Sequence, residues 1–335
     1  MSGRWEQHSW SGLAEVNEKA HYALQVGRVM GDLGWRRKLP SLITGAVLFD
    51  EPMSRHTSMG VGGPADALVF PGCKEELKNT VAYLVQAGLP YMPLGNGTNL
   101  IVRDGGYRGV VVALKNLQSL FVEAEDDRAF LRAEAGVSLA VLVDKSLREG
   151  LTGMEFCAGV PGSVGGVIRM NAGAYGREIK DVAVLVTFLT AEGRIVQRGR
   201  DKLRFRYRAL EMSPHDIIVE AAFCLQRGEG NAIGLRVEEI LALRKEKHPL
   251  PYRNAGSIFK NPAVAPAGRI IEELGLKGVR CGGAQISLKH GNFIVNLGGA
   301  TAADVLALVN MVREKVQQER GMLLETEVCV VGEEA

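Results

Sequence analysis

The chain has 335 residues, of which 46% are hydrophobic and 23% charged, with 40 basic against 38 acidic side chains. It is long enough to bury the cores of two or three domains, and its balanced charge, without a long run of one sign, argues against a nucleic-acid partner. No apolar stretch reaches membrane-spanning length and the N-terminus lacks the apolar core of a signal peptide, so we expect a cytoplasmic protein that does not enter a membrane.

The first elements are predicted from apolar spacing. Residues 1–45 show little pattern beyond a helix suggested at 17–30, and we expect them to form an appendage. Residues 67–70 then predict a strand, residues 74–87 a helix, and residues 90–94 a second strand, which together form a βαβ unit. The helix rests on four apolar residues at helical spacing, Leu77, Val81, Leu84 and Val85.

A second unit begins near Leu131. Ser138 is a suitable N-cap for a helix that ends at Gly150. Its apolar stripe consists of Leu139, Leu142, Val143 and Leu147. After residue 227 the chain becomes a charged helical segment that ends at two prolines, which predicts a domain boundary.

The last region closes with a helix and a strand. Thr301 and Asp304 form a variant capping box ahead of the helix. Five apolar residues follow at helical spacing: Val305, Leu308, Val309, Val312 and Val316. Residues 326–331 then alternate as a strand, so Glu327 and Val328 should face opposite sides.

Two glycine-rich segments are candidates for binding a dinucleotide. Segment 95–99 offers glycines, closely spaced backbone N–H groups and polar side chains, a combination suited to a pyrophosphate. It is neither a Rossmann fingerprint, because a strand follows instead of a helix, nor a P-loop, because the Lys is absent. Alone, it is more often a tight turn. Segment 159–166 follows another strand and helix, so the two can converge on one extended ligand, with Asn171 and Gly173 adding amide groups.

Individual polar residues carry less information. Ser257 lies in a short polar stretch, where a serine usually forms a turn, and would act as a proton donor only beside an oriented partner. Glu327 lies in an apolar strand and is ordinarily solvent-facing or paired. Arg208 alternates with Arg204 and Arg206, which most simply predicts a solvated basic stripe.

Cysteine and histidine spacing predicts neither a disulfide framework nor a metal. The cysteines are odd in number, far apart and never in a C-x-x-C pair, which indicates reduced thiols. No H-x-x-H or H-E-x-x-H arrangement is present, and we predict no metal.

Seven motifs in order carry a resemblance to a known family. Together they resemble the UDP-N-acetylenolpyruvoylglucosamine reductases, in the shorter form without a substrate-capping insertion. The resemblance spans about Met53 to Gly332. The motifs are HTSMGVGGPAD, PLGNGTNLIVRDGGYRGVVV, AGVPGSVGGVIRMNAGAYG, FRYR, NAGSIFKNP, GGAQISLKHGNFIVN and LETEV.

The resemblance implies an α+β fold and a flavin-dependent activity. It implies a vanillyl-alcohol-oxidase-like (PCMH-type) FAD-binding domain of two α+β subdomains, followed by a smaller α+β substrate domain. The ranges would be an appendage at 1–45, the FAD-binding domain at 46–228, divided near 115, and the substrate domain at 229–335. It further implies non-covalent FAD, NADPH as co-substrate, and reduction of UDP-N-acetylglucosamine enolpyruvate to UDP-N-acetylmuramate in peptidoglycan synthesis, without an obligate protein partner.

The resemblance also implies roles for particular residues. Ser257 would be the proton donor, and Arg208 and Glu327 would complete the catalytic set. The implied cofactor-binding residues are Gly95, Asn96, Gly97, Thr98, Asn99, Gly159, Pro161, Gly162, Ser163, Gly165, Gly166 and Asn171. The implied substrate contacts are Tyr175, Lys260, Asn261 and Lys289.

Three positions depart from the family pattern. Gly60 stands where an Arg is usual, His56 replaces an Asn, and Leu288 replaces an acidic residue. Two other kinds of protein could also carry the glycine-rich segments. Another flavin oxidase of the same fold would not need the GSIFKNP motif, and a non-catalytic flavin-binding module would be expected to lose Ser257, Arg208 or Glu327.

Overall fold

The computed structural model describes residues 34–125 and 127–335. The helix predicted at 17–30 lies outside the described residues. The α-helices of the described part are α1 Gly34–Lys38, α2 Lys74–Gln86, α3 Leu139–Arg148, α4 Val164–Arg169, α5 Gly230–Lys247, α6 Ala267–Glu273 and α7 Ala302–Arg320. Among these helices, none combines the length and the apolar character needed to cross a membrane.

The first part of the fold is a mixed sheet with one covering helix. Its strands are β1 Val47–Pro52, β2 Pro64–Val69, β3 Tyr91–Leu94, β4 Leu100–Val102 and β5 Tyr107–Ala113. The sheet order is β1-β2-β5-β3, with β2, β5 and β3 parallel. The predicted βαβ unit is therefore present, but β5 lies between its two strands. Helix α2 buries Leu77, Val81 and Leu84, whereas Val85 is 46% exposed and the prediction for it was wrong.

The second part is an antiparallel sheet with two short hairpins inserted between its strands. The strands are β6 Leu120–Glu125, β7 Arg128–Glu134, β8 Leu151–Thr152, β9 Gly173–Ala174, β10 Arg177–Glu178, β11 Ala183–Leu189, β12 Ile195–Gly199, β13 Phe205–Arg206, β14 Ala209–Leu210 and β15 Ile217–Arg227. The main sheet runs β12-β11-β15-β7-β6, and β9–β10 and β13–β14 are the hairpins. Helix α3 begins as predicted, because Ser138 Oγ accepts a hydrogen bond from Val141 N.

The third part is a small antiparallel sheet packed against α7. Its strands are β16 Arg253–Asn254, β17 Arg280–Cys281, β18 Ala284–Ile286 and β19 Ile294–Asn296, in the order β16-β19-β18-β17. The capping box of Thr301 and Asp304 is present as predicted. All five apolar residues predicted for α7 are buried.

The last strand, β20 Cys329–Val331, is shorter than predicted. The strand prediction for residues 326–331 was wrong at its start, since Glu327 and Val328 lie in a bend. The bend forms because both backbone N–H groups point to the same acceptor, Ile258 O, at 2.7 and 3.4 Å. Strand β20 then leaves the third part and pairs in parallel with β4 of the first.

The packing of α5 bears on the predicted domain boundary. Ile240 of α5 belongs to the hydrophobic core of the second part, together with Phe188 and Phe223. A boundary at 229 would separate α5 from that core. We therefore propose that the boundary lies near His248, where α5 ends.

A carboxylate of the first part caps the long helix of the third. Asp104 accepts hydrogen bonds from Ala302 N at 2.9 Å and Ala303 N at 2.8 Å. These are two of the backbone donors that have no partner inside α7. Asp104 therefore joins the two parts through main-chain groups that would otherwise stay unpaired.

We predict that Asp104→Ala lowers the free energy of unfolding by about 1 kcal/mol, the usual effect of losing a helix cap. Urea unfolding monitored by circular dichroism measures it. Asp144→Ala is the matched control, because Asp144 only pairs with Arg148 on the exposed face of α3 and should change stability by less than about 0.5 kcal/mol. Equal effects of the two substitutions would contradict a role for Asp104 in joining the parts.

Candidate active site

The two glycine-rich segments meet in the structure. A β-carbon at Gly95 would lie closer than 3.0 Å to Ser163 Oγ, and one at Gly162 would lie 3.5 Å from Thr98 Oγ1. The first segment runs into β4 as predicted, whereas the second opens α4. The expected convergence of the two segments is therefore observed, and only a glycine at position 95 permits so close an approach.

Among the residues of these segments, Ser163 gives the strongest indication of a ligand site. It is 1% exposed, and its hydroxyl oxygen has no hydrogen-bond partner within the described residues. A buried hydroxyl without a partner is unfavourable unless a ligand completes it. The main chain around it is fixed, since Val164 N donates to Val137 O and Gly165 N donates to Ala135 O. The contact between the two glycine-rich segments therefore contains a buried hydroxyl, that of Ser163, to which no described residue bonds.

Loop 56–60 packs behind the first segment and contains two of the departures from the family pattern. Ser58 N donates to Gly97 O at 3.0 Å, and His56 Nε2 lies 2.9 Å from Glu51 Oε1. Gly60 has φ +71°, and a β-carbon there would meet the guanidinium of Arg253. The side chain of Arg253 therefore occupies the space of a residue-60 side chain. The third departure, Leu288, is 69% exposed.

Asn171, predicted to lie toward the flavin, uses its side chain within the protein. It is fully buried with φ +42°. Its Nδ2 donates to Arg206 O at 2.9 Å and to Glu178 Oε2 at 3.1 Å, and its Oδ1 accepts from Lys180 N. The amide thus holds the β13–β14 hairpin against the segment that follows β10.

Arg208 and Glu327 form a shielded ion pair. Arg208 Nε lies 3.1 Å from Glu327 Oε1, and both side chains are less than a fifth exposed. Arg208 Nη1 also donates to Gly173 O at 3.0 Å. The basic stripe predicted for Arg204, Arg206 and Arg208 was wrong, because residues 207–208 turn the β13–β14 hairpin and direct Arg208 inward.

The backbone of Arg208 is strained. Its φ is +59°, a left-handed conformation that is uncommon for a residue with a β-carbon and costs about 1 kcal/mol or more. A glycine or asparagine would occupy this turn position without that penalty. The strain places a guanidinium where the ion pair requires it.

The carboxyl group of Glu327 is electrostatically perturbed. Burial raises its pKa above the ordinary value, whereas the nearby Arg208 and Lys260 oppose that shift. The main-chain carbonyl of Glu327 is held by Asn99, whose Nδ2 donates to Glu327 O at 3.0 Å. Asn99 thereby connects the first glycine-rich segment to the main chain that carries the carboxylate.

Ser257 immediately precedes Ile258, whose carbonyl contacts the main chain of Glu327. Ile258 O accepts the hydrogen bond of Glu327 N at 2.7 Å, so the main chains of the two segments are in direct contact. Ser257 itself is partly buried, and its hydroxyl makes no hydrogen bond to any described residue. The structure therefore brings Arg208, Glu327 and the segment of Ser257 together and leaves the serine hydroxyl available.

The four predicted substrate contacts have different surroundings. Tyr175 turns the β9–β10 hairpin with φ +53° and is 39% exposed. Lys260 Nζ pairs with Glu325 at 2.9 Å. Asn261 uses Oδ1 to accept from Ala267 N at the start of α6. Lys289 Nζ donates to Lys245 O at the end of α5. Lys260 thus lies close enough to Glu327 to act on its pKa and Tyr175 interacts with Arg244, whereas the amide oxygen of Asn261 is already engaged.

Arg244 was missed by the sequence analysis. It packs against the second glycine-rich segment, since a β-carbon at Gly159 would lie 3.0 Å from Arg244 Cδ. Burial lowers the pKa of its guanidinium and a hydrogen bond with Tyr175 opposes that shift. Its Nε has no acceptor, and it forms no ion pair with a carboxylate in the described part of the chain. No signal singled it out in the charged pattern of α5.

No group of three or more His, Cys, Asp or Glu side chains in residues 34–125 and 127–335 is arranged to hold a metal ion.

Comparison with known proteins gives matches along most of the chain. A model of an FAD binding domain matches residues 65–199, and a model of the UDP-N-acetylenolpyruvoylglucosamine reductase C-terminal domain matches residues 248–331. The UDP-N-acetylenolpyruvoylglucosamine reductase of Syntrophus aciditrophicus is 54% identical over 307 residues, covering 91% of this chain and 98% of the relative. That of Geotalea uraniireducens is 44% identical, covering 89% and 98%.

A solved structure agrees with the sequence relatives. The crystal structure of UDP-N-acetylenolpyruvylglucosamine reductase from Thermus caldophilus superposes with a TM-score of 0.74 at 36% identity, covering 86% of this chain and 99% of that chain. The predicted α+β fold with an FAD-binding domain and a smaller C-terminal domain is confirmed by these matches.

We predict that Gly95→Ala weakens FAD binding at least about tenfold, equivalent to roughly 1.4 kcal/mol, because the new methyl group overlaps Ser163 Oγ and separates the two segments. The bound flavin per protein after dialysis, measured by absorbance, checks this. The double variant Gly95→Ala/Ser163→Gly should recover part of the binding.

Gly230→Ala is the matched control, since Gly230, like Gly95, lacks a positive φ but has no atom within 4 Å of the added carbon. It should retain its flavin. Full FAD occupancy in Gly95→Ala would show that the contact between the segments does not shape the cofactor site.

Proposed function

The chain belongs to the UDP-N-acetylenolpyruvoylglucosamine reductase family, and we propose that it uses FAD and NADPH to reduce UDP-N-acetylglucosamine enolpyruvate to UDP-N-acetylmuramate in peptidoglycan synthesis. The flavin-dependent oxidoreductase activity and the FAD cofactor follow from this membership and from the FAD-binding domain. NADPH as the reductant, the pathway and the roles of individual residues are our proposal.

One observation carries the residue assignments. The shielded pair of Arg208 and Glu327 lies against the main chain that follows Ser257, and the Ser257 hydroxyl makes no hydrogen bond to a described residue. Reduction of an enolpyruvyl double bond requires a positively charged group and a free proton donor. Negative charge first develops toward the substrate carboxylate, and the adjacent carbon is then protonated.

The residues present suit the cofactor. The unpartnered Ser163 hydroxyl and the glycine-lined contact at Gly95 offer room and a polar group for the FAD pyrophosphate, with Gly97, Thr98 and Gly162 beside them. Bound FAD would supply the two-electron redox chemistry that links NADPH to the enolpyruvyl group. Asn171 would contribute through the fold and not through its side chain, which protein groups already occupy.

Arg208 would hold the substrate carboxylate. A guanidinium has five N–H donors, of which one goes to Gly173 O and another lies beside Glu327, so further donors remain for a second carboxylate. Such a contact stabilises the negative charge that the carboxylate carries as the double bond is reduced.

Ser257 would donate the proton to the carbon next to that carboxylate, which gives the lactyl ether. Glu327 would keep Arg208 in place and orient the intermediate. The buried, shielded setting of the pair strengthens these electrostatic effects relative to water.

Two cations would contact the nucleotide end of the substrate. Within the described residues, Arg244 has no acidic partner and Lys260 pairs with a solvent-exposed carboxylate. Arg244 lies beside Gly159 and Tyr175, and Lys260 pairs with the exposed Glu325. Both can contact a diphosphate, and Tyr175 at its hairpin tip offers a ring and a hydroxyl.

We expect the purified protein to be yellow, to oxidise NADPH slowly alone and rapidly when UDP-N-acetylglucosamine enolpyruvate is added. Stopped-flow absorbance of the flavin separates its reduction by NADPH from its reoxidation by the substrate. A flavin oxidase of different specificity would be reduced by other donors and ignore the enolpyruvyl compound, and a colourless protein would exclude the proposal.

Ser257→Ala should leave flavin reduction by NADPH within about twofold while slowing reoxidation by the substrate at least about a hundredfold, the scale of losing a general acid. Ser213→Ala, at an exposed serine, is the control and should change neither half-reaction. Equal loss of both half-reactions in Ser257→Ala would point to a structural role instead.

A further inference from the structure

Asn292 grips the main chain immediately after Ser257. Its side chain is buried, with the residue 2% exposed. Oδ1 accepts from Phe259 N at 2.9 Å and Nδ2 donates to Phe259 O at 2.8 Å. The backbone carbonyl of Asn292 also accepts from Ile258 N at 2.9 Å. Asn292 therefore bonds to three of the four main-chain polar groups of the two residues that follow Ser257.

The opposite side of the same segment is held by the C-terminal chain. Ile258 O accepts from Glu327 N, and Lys260 N donates to Glu325 O at 2.9 Å. Before Ser257 the support is weaker, because Gly256 has φ +74° and no atom lies within 4 Å of its side-chain position. The direction of the Ser257 side chain consequently depends on the residues that follow it.

The turn that carries Asn292 is itself rigid. Asn292 N donates to His290 Nδ1 at 3.1 Å, and Ser287 Oγ accepts from the N–H groups of Lys289 and His290. The His290 ring packs on Gly268 of α6, where a β-carbon would come within 2.8 Å of Cε1. Burial lowers the pKa of His290, which keeps Nδ1 free to accept this bond at neutral pH.

We propose that Asn292 is a positioning residue that fixes the hydroxyl of Ser257 for proton donation, acting through the main chain of Ile258 and Phe259. The inference rests on the proposed role of Ser257. An amide suits this task because it donates and accepts at once and adds no charge beside the ion pair of Arg208 and Glu327. A small displacement of a donor is sufficient to slow a reaction by about a hundredfold.

The test uses Asn292→Asp in the holoenzyme. This change keeps an acceptor for Phe259 N but turns the donor to Phe259 O into an oxygen. We expect flavin reduction by NADPH to stay within about twofold and reoxidation by the enolpyruvyl substrate to slow roughly ten- to hundredfold. Asn292→Ala should act in the same direction, and whichever of the two variants folds is sufficient.

A double-mutant cycle with Ser257→Ala separates positioning from general stability. If Asn292 acts through Ser257, adding Asn292→Asp to Ser257→Ala should slow reoxidation by less than about twofold further. Additive losses, or equal slowing of both half-reactions, would overturn the proposal. The control is Gln285→Ala, which removes a buried amide of the neighbouring strand β18. Among the described residues that amide bonds only to Gly278 O, and the change should leave both half-reactions unaltered.

Failure of the proposed function gives a different result. In that case the wild-type holoenzyme does not reoxidise with the enolpyruvyl substrate, or Ser257→Ala reoxidises normally, before Asn292 is altered. Either result removes the role that Asn292 is proposed to support. With a functional wild type and a slow Ser257→Ala, an Asn292→Asp variant that reoxidises at the wild-type rate would overturn the positioning role alone.

Discussion

The return of the C-terminal segment across two parts of the molecule is the constraint on which the site depends. Glu327 N bonds to Ile258 O in the third part, and two residues later Cys329 N bonds to Asn99 O in the first. Strand β20 continues this pairing along β4. Because both ends of so short a segment are bonded to different parts, the carboxylate of Glu327 is fixed relative to the glycine-rich segment and to Ser257 at once.

Three buried or partly buried asparagines distribute the same kind of support. Asn99 holds the carbonyl of Glu327, Asn171 holds the hairpin of Arg208 through Arg206 O, and Asn292 holds the chain after Ser257. Each acts on main-chain atoms and leaves the functional side chain free. Neutral amides can fix these groups without adding charge beside a buried ion pair, whose partners are sensitive to any nearby charge.

The sequence predicted the elements whose signal is local. Helix α7 followed from its capping box and apolar spacing, and segment 95–99 from glycines that lead into a strand. Arg208 could not be placed in this way, since its alternation with Arg204 and Arg206 indicates a strand, whereas contacts with Glu327 and Gly173 impose a turn. The bend at Glu327 likewise results from a distant carbonyl, and only the ordered resemblance drew attention to either residue.

Backbone strain outside the glycines is concentrated near the ion pair of Arg208 and Glu327. Within the described residues, four non-glycine residues have positive φ, and three of them lie near one another. Arg208 belongs to the ion pair, Asn171 donates to Arg206 O in the same hairpin, and Tyr175 follows Gly173, whose carbonyl accepts from Arg208. Of the eight buried side-chain polar atoms without a hydrogen-bond partner in the described residues, three belong to Ser163, Arg208 and Arg244 at this site, and the other five lie elsewhere in the fold. Such costs persist only where the surrounding structure enforces them, and they are characteristic of sites whose remaining contacts are made by a ligand. The strain at Arg208 is therefore consistent with the role proposed for its guanidinium, because a glycine or asparagine would occupy the turn without that cost.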